Sequence, residues 1–96
     1  MRPYEALSQY REVIRAAVAR YPLTNPRVFG SVAAGYDDDD SDLDLLVDPL
    51  PGATLFDLGG LQVELESTLG VAVDVLTPGD LPPRFRDSVV REAVPL

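Results

Sequence analysis

Two short groups of residues in the first half of the chain have the types and spacing needed to handle a phosphorylated substrate. Gly30 and Ser31 are followed, after ten intervening residues, by Asp42-Leu43-Asp44. Glycine lets the backbone approach a phosphate closely, and the serine hydroxyl and free amides of a helix start can donate to phosphate oxygens. Aspartates two residues apart on a strand share a face, where their oxygens suit divalent cations. The stretch thus combines a candidate phosphate cradle with a candidate metal site.

Asp74 is the third candidate carboxylate, because it interrupts the apolar sequence Val71-Ala-Val-Asp-Val-Leu76. A lone charge in an apolar strand is costly unless it is compensated. If this strand pairs beside Leu43–Val47, the three carboxylates converge, repel one another and raise at least one pKa in the metal-free protein. A divalent ion removes that penalty. A phosphate cradle facing such a site is the minimum apparatus for two-metal transfer of a nucleotidyl group.

Hydrophobic periodicity and breakers predict helices alternating with three short strands. Apolar residues at helical spacing indicate a first helix from Tyr4 to about Tyr21 and a third from Thr54 to Leu69. The remaining predicted elements are a strand at Arg27–Phe29, a helical turn at Ser31–Ala34, strands at Leu43–Val47 and Val71–Leu76, and a last helix capped by Asp80. This order predicts an α/β (α+β) fold, with a small mixed sheet covered by helices.

Two local features are interpreted structurally. Asp37 to Asp40 form an acidic run between the helical turn and the second strand, which predicts a solvated loop. Gly59-Gly60 lies inside the third predicted helix, where each glycine costs about 1 kcal/mol relative to alanine. We interpret that pair as a place where the helix packs closely on the sheet.

The length and composition of the chain limit the kinds of chemistry and of binding that it can carry out. The 96 residues predict a single domain over 1–96. The chain has no cysteine and no histidine, which excludes thiolate and imidazole chemistry and leaves oxygen ligands for any metal. A net charge of −8 argues against direct nucleic-acid binding, and no apolar run approaches a membrane span. We expect a cytoplasmic protein.

The spacing Gly30-Ser31, ten residues, then Asp42-Leu43-Asp44 resembles the signature of the polymerase-beta-like nucleotidyltransferases. Together with the Val-Asp-Val strand and the short chain, it looks like the minimal nucleotidyltransferases of the MntA type, which are antitoxins of HEPN-domain (HepT-like) toxins. The resemblance implies the polymerase-beta-like fold. It also implies Mg²⁺ as cofactor, ATP as substrate, and transfer of AMP to a tyrosine of the partner ribonuclease toxin.

The resemblance also implies roles for individual residues. Asp42 and Asp44 would hold the metals that grip the triphosphate, and Asp74 would bind the catalytic metal and help activate the incoming hydroxyl. Gly30 and Ser31 would contact the phosphates of ATP. A short chain leaves little room for an acceptor site, so we expect the acceptor to arrive on another protein in a hetero-oligomer.

One position departs from the family pattern. Ala34 stands where the family usually has arginine, so a cation that could orient phosphates is missing. This departure favours an alternative, a non-catalytic antitoxin that neutralises the toxin by binding it. A third interpretation is a nucleotidyltransferase acting on a small molecule or a tRNA end, which the acidic composition makes less favourable.

Overall fold

A computed structural model describes all residues from 1 to 96. The chain folds into four α-helices, four strands and one 3-10 turn, in an order that alternates helix and strand. The helices are α1 (Pro3–Ala19), α2 (Gly30–Ala34), α3 (Leu55–Leu69) and α4 (Pro83–Glu92). The strands are β1 (Leu23–Phe29), β2 (Leu43–Pro49), β3 (Val73–Leu76) and β4 (Val94–Pro95), with the 3-10 turn at Pro78–Asp80.

The strands form one mixed sheet in the order β3-β2-β1-β4. β1 pairs antiparallel with both β2 and β4, whereas β2 and β3 run parallel. Parallel strands need a crossover connection, and here α3 supplies it between β2 and β3. The predicted architecture, a small mixed sheet with helices, is confirmed.

The hydrophobic core lies on the sheet face covered by α1 and α3. Strand β2 is central to it, because Leu43, Leu45 and Val47 are all fully buried. The strand thus alternates as predicted, sending its odd-numbered side chains into the core. Each covering helix contributes a stripe of buried apolar residues at helical spacing, namely Leu7, Ile14, Ala17 and Val18 from α1 and Leu61, Leu65 and Leu69 from α3.

Local sequence signals place most element ends. In α3 the Thr54 hydroxyl accepts from the Asp57 amide, and the Asp57 carboxylate accepts from the Thr54 amide at 2.8 Å, forming a capping box. Gly70 ends α3 in the left-handed conformation. Asp80 was expected to cap the last helix, but it belongs to the 3-10 turn, where it accepts from Thr77. None of the four helices combines the length and the apolar composition that a membrane-spanning segment requires.

Two of the structural interpretations need correction. Asp37 is buried rather than solvated: it accepts from the Tyr4 backbone N–H at 2.9 Å and from the Arg2 guanidinium at 3.2 Å. These hydrogen bonds hold the acidic loop against the start of α1. Gly60 does not pack on the sheet either, since a Cβ there would meet the Tyr21 ring at 3.3 Å.

Candidate active site

The pairing of β2 with β3 determines where the candidate carboxylates lie. Asp44 is the second residue of β2 and Asp74 the second residue of β3, and the two are direct partners in the parallel register. Their neighbours Leu43, Leu45 and Val73 are buried in the core. Because side chains alternate along a strand, both aspartates project from the sheet face opposite α1 and α3. Asp42 comes directly before β2 on the same parity as Asp44. The sheet therefore brings all three predicted carboxylates together where β2 and β3 begin, and we call this place the carboxylate edge.

The electrostatics of this edge show that the carboxylates act on one another. Burial, followed by the charges of Asp74 and Asp42, raises the pKa of Asp44 to about 6. Burial, followed by the charges of Asp42 and Glu66, also raises the pKa of Asp74. Both shifts have the sign expected of acids that lose water and gain negative neighbours. The edge therefore attracts positive charge.

Gly30 lies against the same edge from the β1 side. Phe29, the last residue of β1, is the register partner of Asp44, and Gly30 follows it with φ of +75°. A Cβ placed on Gly30 would lie 2.3 Å from the Asp44 Oδ2 atom. Only glycine fits this corner, because the backbone needs a left-handed conformation and the carboxylate occupies the space of a side chain.

Ser31 follows in the first turn of α2 and is half-buried. The N-cap position of α2 is held by Phe29, which makes no side-chain cap hydrogen bond. The first backbone amides of a helix have no partner within the helix. Gly30 therefore brings the start of α2 against the carboxylate edge, and Ser31 is the next residue of that helix.

A hard divalent cation suits this donor set. The ion pairs of the chain join Arg2 to Asp37, Arg15 to Glu12, Arg20 to Glu64 and Arg27 to Asp48, so none neutralises Asp42, Asp44 or Asp74. The structure contains no group of three or more side chains already at metal-ligand spacing. The three carboxylates thus share an edge without forming a closed coordination shell. Carboxylate oxygens are the ligands that Mg²⁺ prefers, and added positive charge would offset the repulsion described above.

Glu66 is a neighbour of the site that the sequence did not reveal. Its carboxylate accepts from the Val73 backbone N–H at 3.0 Å, which ties α3 to the start of β3. Its charge also contributes to the raised pKa of Asp74. Nothing in the sequence distinguishes Glu66 from other charged residues of α3, because its role depends on how the helix crosses β3.

A mixed sheet with an acidic edge and an adjoining glycine corner is an arrangement suited to transferring phosphorylated groups. The chain belongs to the nucleotidyltransferase domain family, whose sequence profile matches residues 10–96. It is a nucleotidyltransferase of the minimal type, with the polymerase-beta-like fold that the sequence resemblance predicted.

Two relatives make the position within the family more specific. A Methanocaldococcus jannaschii protein, MJ0435, assigned as a protein adenylyltransferase, is 34% identical over 88 residues, which cover 92% of this chain and 95% of that protein. The protein adenylyltransferase MntA of Thermococcus cleftensis is 35% identical over 75 residues, which cover 78% of this chain and 76% of that protein.

Solved structures agree on the fold. A structure assigned as a minimal nucleotidyltransferase superposes with a TM-score of 0.86 at 47% identity, covering 97% of this chain and 95% of the other. A toxin–antitoxin structure with AMP-PNP superposes with a TM-score of 0.71 at 20% identity, covering 92% of this chain and 69% of the other. The second likeness is one of fold.

Proposed function

We propose that this chain is a Mg²⁺-dependent protein adenylyltransferase that acts as the antitoxin of a HEPN-domain (HepT-like) ribonuclease toxin, in the cytoplasm. On this proposal residues 1–96 form a single minimal nucleotidyltransferase domain, and the chain transfers AMP from ATP to a tyrosine hydroxyl of its partner. The observation that carries the proposal is the register of Asp44 with Asp74, with Gly30 against Asp44. The adenylyltransferase names of two relatives and the toxin–antitoxin structure support it.

The proposed roles follow from where the side chains lie. Asp42, Asp44 and Asp74 would hold magnesium, which when bound neutralises the triphosphate and the charge that develops on pyrophosphate. Gly30 and Ser31 would donate hydrogen bonds to phosphate oxygens. Asp74 is exposed, so an incoming hydroxyl can reach its carboxylate, which would accept the hydroxyl proton.

The transfer step has a simple balance of bonds. The acceptor oxygen forms a bond to the α-phosphorus of ATP, and the bond from that phosphorus to the oxygen bridging the β-phosphorus breaks. Pyrophosphate leaves with the bonding electron pair. The hydroxyl proton passes to Asp74 and then to water. The chain itself is unchanged at the end, as a catalyst must be.

Transfer of label from α-labelled ATP to the purified toxin tests the proposal. We expect labelling by the native chain and none by the double variant Asp42→Asn with Asp44→Asn. The matched control is Asp39→Asn with Asp40→Asn, which removes the same charge from exposed positions of the acidic loop. If the Asp42→Asn, Asp44→Asn variant labels the toxin as well as the control variant does, the site assignment is wrong. If the native chain does not label the toxin, the proposed activity is wrong.

A non-catalytic antitoxin is the second candidate, and Ala34 is the observation that favours it. Alanine replaces the arginine usual in the family, so position 34 supplies no cation to the phosphate corner. The two candidates differ in one outcome. If the Asp42→Asn, Asp44→Asn variant still suppresses ribonuclease activity of the toxin as well as the native chain does, neutralisation works by binding alone.

A further inference from the structure

A cleft of about 420 Å³ opens beside the phosphate corner, between α2 and α4. Phe29, Ala33, Ala34 and Val89 make most of its wall apolar. Tyr36 stands at its margin with 73% of its surface exposed. Its volume falls within the range of pockets that bury small organic ligands, and mainly apolar walls with a few polar groups are typical of them.

The cleft is continuous with the carboxylate edge because Gly30 belongs to both. Gly30 lines the cleft and also abuts the Asp44 carboxylate. A nucleotide whose phosphates lie at that corner has its nucleoside within reach of the cleft. A nucleobase is flat with apolar faces, and aromatic side chains such as those of Phe29 and Tyr36 provide surfaces on which a base can stack.

Glu92 is the charged side chain of this cleft. It is the last residue of α4, and its exposed carboxylate forms no ion pair or side-chain hydrogen bond in the structure. An ionised carboxylate can only accept hydrogen bonds. It therefore favours a base with an amino group and opposes one that presents a carbonyl oxygen at the same position.

We propose that this cleft holds the nucleobase and that Glu92 selects adenine by accepting a hydrogen bond from its exocyclic amino group. The inference rests on the proposed function, because it takes the phosphates to lie at Gly30. It adds a base-binding site and a specificity residue on α4, an element to which the sequence pattern gave no part in the chemistry. Ala34 contributes by its small size, which leaves the cleft open.

Calorimetric binding to the intact chain, in the presence of magnesium, tests this proposal. The probes are ATP, inosine triphosphate, in which a carbonyl replaces the amino group, and inorganic tripolyphosphate, which has no base. We expect ATP to bind about tenfold more tightly than inosine triphosphate, the size of one hydrogen bond to a charged group. Tripolyphosphate should bind more weakly than ATP.

Three variants test whether the difference in affinity between ATP and inosine triphosphate arises in the cleft. Glu92→Gln should bind ATP and inosine triphosphate alike, since an amide can accept from one and donate to the other. The matched control Asp87→Asn, at an exposed position of the same helix, should keep the native preference. Ala34→Leu fills the cleft and should weaken ATP binding more than it weakens tripolyphosphate binding.

The outcomes separate this inference from the proposed function. Equal affinity of the native chain for ATP and inosine triphosphate would overturn the role of Glu92. Equal affinity for ATP and tripolyphosphate would overturn the base site, while the phosphate and metal site stands. If none of the probes binds with magnesium, the proposed function fails and the inference fails with it.

Discussion

Replacement of Gly30 by alanine tests the geometry of the site with a single methyl group. The added Cβ would lie 2.3 Å from Asp44 Oδ2 and 3.2 Å from Asp44 Cγ. Nonbonded carbon atoms pack at about 3.5–4.0 Å, so the Asp44 carboxylate must move. Because it lies at the end of a side chain, the carboxylate can swing away without unfolding the sheet. The substitution should therefore move a carboxylate of the site more than it disturbs the fold.

Two separate costs are expected, and they can be measured apart. Gly30 has φ of +75°, and an alanine in the left-handed region costs about 1–2 kcal/mol of stability. In a domain of this size about 1 kcal/mol shifts the melting temperature by roughly 4–8 °C. The second cost falls on binding. Loss of one contact to a charged group, worth about 1.5–3 kcal/mol, weakens binding of Mg²⁺-ATP about tenfold or more.

Gly35→Ala is the matched control because it carries only the first cost. Gly35 has φ of +85°, but a Cβ there would meet no atom within 4 Å. Thermal melting with and without Mg²⁺-ATP measures both quantities, since a ligand of the folded state stabilises it by mass action. We expect both variants to melt lower than the native chain and only Gly30→Ala to show a smaller ligand-induced rise, because a tenfold weaker ligand stabilises the fold less. An equal rise in both variants would refute a role for the Gly30–Asp44 contact.

Three further predictions concern stability. Asp44→Asn should raise the melting temperature of the metal-free chain at about pH 7 and abolish the rise caused by Mg²⁺-ATP, because it removes a charge that burial and two like charges disfavour. Leu45→Ala, at a fully buried position, should lower the free energy of unfolding in urea by about 2–5 kcal/mol. Asp37→Asn should destabilise the chain at neutral pH relative to the exposed control Asp39→Asn. The pKa of Asp37 is lowered in the fold, chiefly by the Tyr4 amide that donates to it. The loss should therefore shrink once the pH falls below about 4, the ordinary pKa of an aspartate, and vanish only below the lowered pKa of Asp37 in the fold. A difference between the two variants that does not shrink at low pH would contradict this prediction.

The sequence predicted those parts of the fold that local signals determine. Hydrophobic periodicity identified the helices, and alternation in Leu43–Val47 identified the buried face of β2. The two-residue strand β4 was not predicted, since Val94 and Pro95 form a strand only through their pairing with β1. The strand β1 was predicted only at Arg27–Phe29, because Pro26 lies within β1 where the register shifts between Thr24 and Arg27, and such a break in the ladder gives no regular strand pattern.

Those parts of the candidate site that depend on alternation along a strand could be predicted from the sequence. Those parts that depend on packing between distant elements could not. Asp42 and Asp44 share a parity, and the apolar residues around Asp74 identified its strand. The burial of Asp37 could not be seen, because an acidic run looks solvated until the start of α1 is placed against it. The same holds for Glu92, since its position beside Gly30 is set by the packing of α4.

The alternation of β2 explains how so short a chain can carry an acidic cluster and remain folded. Leu43, Leu45 and Val47 contribute to the core, while Asp44 projects from the opposite face. Repulsion among the carboxylates therefore acts on a face that contributes little to the α1 and α3 core. Substitutions at neighbouring positions of β2 should consequently have separate effects. Those at the buried leucines and valine should lower stability, whereas those at Asp44 should weaken ligand binding. If the acidic cluster lay among the core residues instead, its charges would have neither water nor a cation beside them. The free-energy cost of burying such charges would exceed the small net stability of a domain of this size.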